Sequence, residues 1–370
     1  DKSKILGFIT TAGTLNSHTS VLARTKGIPS IIGVGESLKV EYDGKSVIID
    51  GFTGKIYIEP DYTTLTKFRK KRDSNLNYRK NLEKLKGKEN VTQSGQRIAV
   101  LANVANREDI ESVLRSDAGG IGLYRTEFLF MENDTLPTED QQYLEYKLAA
   151  EAMGSKPVSI RTVDMGSDKT IREIDEGKVR NPALGYRGIR LLLNDEDVFY
   201  TQIRAILRAS IYGNLSILLP MVTSSEEVSR AKEIIEKVKD DLRSSKILFD
   251  EDINLGVMIE TPAAVMISGE LARQVDYFSI GTNDLTALTL GVDRMNPKVE
   301  ELFDVEHPAI MKMIRIITNN AHLEEKPVAI CGDAAADLGL TEYFIKVGID
   351  GLSVEPQKVL SLRKKVREIR

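Results

Sequence analysis

The chain has 370 residues, 41% hydrophobic and 29% charged, with 51 basic side chains against 55 acidic ones for a net charge of −4. That is the composition of a folded protein with room for two domains, and it excludes disorder and collagen. The charge balance gives no reason to expect nucleic acid or an anionic membrane as partner, and no apolar run reaches the ~18 residues of a membrane helix.

The amino end, Asp1-Lys2-Ser3-Lys4, lacks the apolar core of a signal peptide. Its first strand is expected at Ile5–Ile9, with nothing before it to pair against, as in a fragment of a longer protein. The single cysteine, Cys331, cannot form an internal disulfide, so a reducing, cytoplasmic setting is expected. Residues 1 to 60 read as part of a small α/β domain: the first strand, a helix over Ser17–Lys26, a strand at Ser30–Gly33, and hairpin runs Ser46–Ile49 and Lys55–Ile58 turned by Gly51 and Gly54. From Asp61 to Asn90 ten Lys/Arg face four Asp/Glu, and Leu65, Phe68, Leu76, Leu82 and Leu85 recur at helical spacing. This predicts a solvated, charged helical linker over 61–90.

In 91–370 short apolar runs alternate with amphipathic segments. Strands are predicted at Ile98–Asn103, Gly120–Tyr124, Val158–Val163, Leu215–Pro220, Leu255–Glu260, Tyr277–Gly281, Val328–Gly332 and Gly351–Val354. Eight strands, each followed by helical sequence, point to an α/β fold of the (β/α)8 TIM-type barrel, with an open doubly wound sheet as the alternative. A barrel carries its site at the carboxyl ends of its strands. There the sequence places Arg125, Arg161, Asp164, Glu260, Asn283, Asp284 and Cys331.

Glu260 and Asp284 follow neighbouring strands without an accompanying set of histidines or thiolates. Oxygen-only ligation suits Mg²⁺ or Mn²⁺, not zinc. Thr261-Pro262 is a good N-cap and first-turn pair, so the next helix has no need of Glu260 as its cap. Arg125, Arg161, Arg187 and Arg294 offer planar forks that match phosphate and carboxylate oxygens, which points to an anionic, phosphorylated substrate. Arg161 lies within the apolar run Val158–Val163, where a charge is costly unless paired or functional. Of three histidines, His307 and His322 read as structural or exposed. His18 opens a helix after Asn16-Ser17, where the positive end of the dipole favours neutral, nucleophilic imidazole and would hold an attached phosphoryl group.

Five motifs then carry a resemblance: Gly120-Ile-Gly-Leu-Tyr-Arg-Thr-Glu-Phe-Leu-Phe-Met131, Arg161-Thr-Val-Asp-Met-Gly-Ser-Asp-Lys169, Gly256-Val-Met-Ile-Glu-Thr-Pro-Ala263, Phe278-Ser-Ile-Gly-Thr-Asn-Asp-Leu285 and Val292-Asp-Arg294. Together with Ser17-His18-Thr19, the chain resembles Enzyme I of the bacterial sugar phosphotransferase system, lacking its amino-terminal HPr-binding part. The resemblance implies that His18 is the phosphorylated nucleophile and that Arg125, Arg161, Asn283, Asp284 and Arg294 contact phosphoenolpyruvate. It also implies Mg²⁺ on Glu260 and Asp284, Cys331 as proton donor to the enolate carbon, HPr as partner, and a homodimer through the barrel. Pyruvate phosphate dikinase and phosphoenolpyruvate synthase are similar in histidine domain and barrel. A non-catalytic phosphoenolpyruvate sensor is the reading from another class. The chain departs from the family's pattern at Thr14-Leu15-Asn16, at Asp333-Ala334-Ala335-Ala336, where an aspartate replaces the usual glutamate, and at Ser353–Pro356.

Overall fold

The structure is a computed structural model that describes residues 5–12, 28–131, 135–165, 184–293, 296 and 298–370. The chain divides into two units, Asp1–Lys84 and Leu85–Arg370. In the first, β1 (Phe8–Ile9) runs parallel to β2 (Ser30–Ile31), and β3 (Val47–Asp50) pairs antiparallel with β4 (Lys55–Ile58). Asp50 organises the β3–β4 turn. Its carboxylate accepts from Phe52 N at 3.2 Å, Thr53 Oγ1 at 2.8 Å and Lys71 Nζ at 2.8 Å. The Lys71 contact holds its pKa below the ordinary value. Gly54, with φ of 66°, supplies the left-handed residue the turn requires. A helix over Tyr62–Glu83 starts from Asp61, whose side chain accepts from Thr64 N, and buries only Leu82. The helix expected over Ser17–Lys26 lies outside the described residues.

In the second unit the eight apolar runs become β5 (Ala99–Val104), β6 (Ile121–Arg125), β7 (Val158–Arg161), β8 (Leu215–Leu219), β9 (Asn254–Ile259), β10 (Tyr277–Ile280), β11 (Val328–Ile330) and β12 (Gly351–Val354). All pair in parallel, and β12 pairs with β5 to close the ring. The fold is the TIM-type α/β barrel, not an open sheet. The runs are nearly continuous in apolar residues because both faces are covered, by helices outside and by side chains within. Helix starts follow local capping chemistry. Thr138 with Gln141 and Ser224 with Glu227 form reciprocal capping boxes, and Thr261 accepts from Ala264 N ahead of a first-turn proline.

The first strand is shorter than expected, Phe8–Ile9, and in the barrel two strand ends fall two residues short of those read in the sequence, the other ends agreeing to within one residue. β7 stops at Arg161, not Val163, because Val163 N donates to Gln202 Oε1 at 2.9 Å instead of to a strand. β11 stops at Ile330, which leaves Cys331 just past the strand end. Inside the ring, Tyr277 of β10 reaches across the lumen to Ser159 of β7 at 2.6 Å and Ser216 of β8 at 3.0 Å. Its ring occupies the space opposite Gly256, where a Cβ would lie 2.3 Å from it. Leu123, Leu218, Met258 and Cys331 form a small buried cluster against Tyr277, separate from the main core.

Candidate active site

Arg125 and Arg161 end adjacent strands and are partners in register. Arg161 keeps 12% of its side chain exposed, and its guanidinium is held on one edge. Nη2 donates to Glu127 Oε1 at 2.7 Å, while Nη1 lies 3.6 Å from Asp164 Oδ2 and 3.7 Å from Met258 Sδ. Its Nε is buried without a hydrogen-bond partner among the described residues. Arg187 grips Asp164 with both prongs, Nε to Oδ1 at 3.0 Å and Nη2 to Oδ2 at 2.7 Å. Its Nη1 comes within 3.6 Å of Asp284 Oδ1. These carboxylates hold both arginines firmly cationic.

Glu260 is the first residue after β9 and is 1% exposed. With Thr261 capping the following helix, Glu260 is free to turn into the site, where Oε1 accepts from Met221 N at 2.8 Å. Burial, then repulsion from Asp284 and Asp164, raises its pKa well above the ordinary carboxyl value. Asp284 stands in the first turn of the helix Thr282–Leu290. Gly281, between β10 and that helix, permits the approach, since a Cβ there would lie 2.5 Å from Glu260 Oε2. Two carboxylates that resist sharing negative charge form a site a cation would relieve. No group of three or more His, Cys, Asp or Glu among the described residues is arranged to hold a metal. Glu260 and Asp284 could give a hard cation two carboxylate ligands from the protein.

Asn283 and Asp333 exchange hydrogen bonds, Asn283 Nδ2 to Asp333 Oδ2 at 3.0 Å and Asp333 N to Asn283 Oδ1 at 3.0 Å. The aspartate that departs from the family's glutamate is therefore the residue that fixes the Asn283 amide. Cys331 is 2% exposed; its Sγ faces Ile280 O at 3.6 Å and its carbonyl accepts from Asn103 Nδ2 at 3.0 Å. Burial pushes its thiol up to about 11. A thiol so placed keeps its proton at neutral pH, the state a proton donor needs and a nucleophile does not.

The fold thus gathers Arg125, Arg161, Glu260, Asn283, Asp284 and Cys331 at or just beyond the carboxyl ends of β6, β7, β9, β10 and β11. His18 and Arg294 lie outside the described residues. Sequence reasoning missed Glu127, which is 4% exposed and is the closest partner of Arg161. The signal was indirect: an arginine in an apolar run demands a counter-charge, but nothing local says which acid supplies it.

Residues 79–370 match the family described as PEP-utilising enzyme, PEP-binding domain, and residues 1–54 match the PEP-utilising enzyme, mobile domain. The chain belongs to the PEP-utilising enzymes. Among curated relatives of this PEP-utilising enzyme, the phosphoenolpyruvate-protein phosphotransferase of Haemophilus influenzae is 38% identical over 366 residues, 99% of this chain and 64% of the relative. Proteins of the same name from Priestia megaterium and Bacillus subtilis are each 37% identical over 365 residues, 99% of this chain and 64% of their own lengths. The chain therefore spans 64% of each of these relatives. The resemblance read from the five motifs stands. Among the described residues no helix is long and apolar enough to cross a membrane.

Proposed function

We propose that this PEP-utilising enzyme is a phosphoenolpyruvate-protein phosphotransferase of the Enzyme I type, moving the phosphoryl group of phosphoenolpyruvate to His18 with release of pyruvate. The proposal extends to onward transfer to HPr for sugar uptake, a cytoplasmic setting and a homodimer through the barrel. One observation carries it: paired carboxylates, clamped arginines and a protonated thiol meet at one end of the barrel. Arg125, Arg161 and Arg294 are assigned to the phosphate and carboxylate oxygens of the substrate, and Asn283 to hydrogen-bonding it. Glu260 and Asp284 would hold Mg²⁺, or Mn²⁺ in its place, which neutralises charge on the phosphoryl and enolate oxygens.

In the reaction, neutral His18 attacks phosphorus, an N–P bond forms and the enol P–O bond breaks. The electron pair stays on the departing enolate, whose carbon takes the proton from Cys331 Sγ, and solvent reprotonates the thiolate. The catalysis is mostly positioning and charge stabilisation, which suits rigid forks on strand ends.

Incubation with phosphoenolpyruvate and Mg²⁺, followed by mass spectrometry of the intact chain and its peptides, tests the reading. One phosphoryl group on the peptide containing His18 is expected, absent with excess chelator and absent in His18→Ala. An unmodified chain that also shows no binding of phosphoenolpyruvate would overturn it.

A further inference from the structure

Arg161 alone does not define where its fork points. A guanidinium on a flexible stem at a strand end could turn towards any of the carboxylates around it, and Asp164 and Glu260 both act on it. Glu127 removes that freedom. It opens the helix Glu127–Met131 just after β6. Its Oε1 takes both Arg161 Nη2 at 2.7 Å and the backbone N of Asp164 at 3.0 Å. One buried oxygen thus ties the guanidinium to the segment that follows its own strand. With Nη2 held and Nε buried, Nη1, whose contacts with Asp164 Oδ2 at 3.6 Å and Met258 Sδ at 3.7 Å are both long, is the prong left for a ligand.

The anchor is itself held from behind. Thr126 Oγ1 donates to Arg161 O at 2.9 Å. Gln202, fully buried, accepts from Val163 N at 2.9 Å and donates to Thr126 Oγ1 at 3.2 Å and Tyr146 Oη at 3.1 Å. Tyr146 Oη in turn donates to Gln142 Oε1 at 3.1 Å. These buried hydrogen bonds make the anchor's surroundings rigid, and rigidity is what a directed contact with a transferring group requires.

We infer that Glu127 is a positioning residue for phosphoryl transfer, acting through Arg161 by fixing which edge of its fork meets the substrate. The inference rests on the function proposed above. Glu127→Gln keeps an acceptor for both donors and so preserves the fold, but exchanges a charge-assisted contact for a neutral one. Two effects then oppose each other in ground-state binding: the site loses a negative charge, which favours an anion, and the fork loses its fixed direction. In the transition state, where the fork must track redistributed charge, only the second slows the reaction. The expected result is at least a tenfold fall in single-turnover pyruvate formation with less than threefold change in the affinity for phosphoenolpyruvate and Mg²⁺.

A double-mutant cycle with Arg161→Lys decides the route of action. If Glu127 works through Arg161, adding Glu127→Gln to Arg161→Lys costs less than threefold more, whereas independent roles would multiply. Thermal melting of each variant separates loss of folded protein from loss of rate, and Glu127→Asp, one methylene too short to keep the contact, serves as a second variant with the same expected rate loss. Multiplying costs, or wild-type rates in both variants, would overturn the inference while leaving the function intact. Wild-type protein that binds no phosphoenolpyruvate would overturn both.

Discussion

Cys331 shows how a single residue's chemistry is set by its surroundings. Burial raises its thiol to about 11, against about 8.5 for a free cysteine. Because the folded pKa is the higher, the native state binds the proton more tightly. Its contribution to stability is complete below the unfolded pKa and is lost as pH rises through the folded one. Unfolding free energies of wild type and Cys331→Ser should therefore differ increasingly little between pH 9 and 11, with a change of up to about 3 kcal/mol at ~1.4 kcal/mol per pKa unit. In the same variant, calorimetry should find phosphoenolpyruvate binding retained while pyruvate formation slows severely; wild-type kinetics would make the cysteine a packing residue. For the proposed cation site, Glu260→Ala and Asp284→Ala should each weaken metal-dependent binding, and equal affinity with Mg²⁺ and with chelator in the wild type would sink the assignment. Arg161→Lys should lower turnover at least roughly tenfold, about 1.4 kcal/mol in the barrier, because an ammonium cannot occupy Glu127 and the substrate in two fixed directions at once.

At the scale of elements, the barrel's inner layer depends on a match between two strands. Tyr277 on β10 and Gly256 on β9 are partners in register, and the tyrosine ring fills the space a side chain on Gly256 would take. Gly256→Ala should destabilise the barrel by about 1–3 kcal/mol, the usual cost of overpacking, as read from urea unfolding. Unchanged stability would mean the ring can shift despite its bonds to Ser159 and Ser216. This pairing was not legible in the sequence: Gly256 reads there as one residue of an apolar run, and its partner lies in the next strand. What was legible were the runs themselves and the helix starts. Thr261-Pro262 announces a cap by local chemistry alone, and its side chain accepts the expected hydrogen bond from Ala264. The end of β7 was misplaced because a glutamine from a later helix, Gln202, takes the hydrogen bond the strand would otherwise have used.

For the barrel as a whole, closure brings residues far apart in sequence into one lock. Arg363, 3% exposed, donates to Asn90 Oδ1 at 2.7 Å, Leu85 O at 2.9 Å, Asp117 O at 2.6 Å and Asp117 Oδ2 at 2.5 Å. It thus joins the last helix of the second unit to that unit's first residues. Arg363→Ala should cost about 3 kcal/mol or more, since it strips a buried guanidinium that makes four hydrogen bonds from partners left without it. A urea midpoint unmoved by the substitution would show that packing of Leu362 and Val366 holds that end unaided.

By itself the sequence determined the alternation of strand and helix, hence an α/β fold read as a barrel with an open sheet as the alternative, and the residue types at its strand ends. Those properties are local: apolar period, capping residues, and the identity of an acid or arginine after a strand. That β12 pairs with β5 to close the ring was decided by the structure. Only the tertiary structure decided how the charges pair. That Arg161 rests on Glu127, Arg187 on Asp164, and Asn283 on Asp333 depends on which side chains converge across the mouth of a closed ring. A charge in a one-dimensional string carries no record of the partner the fold will bring to it.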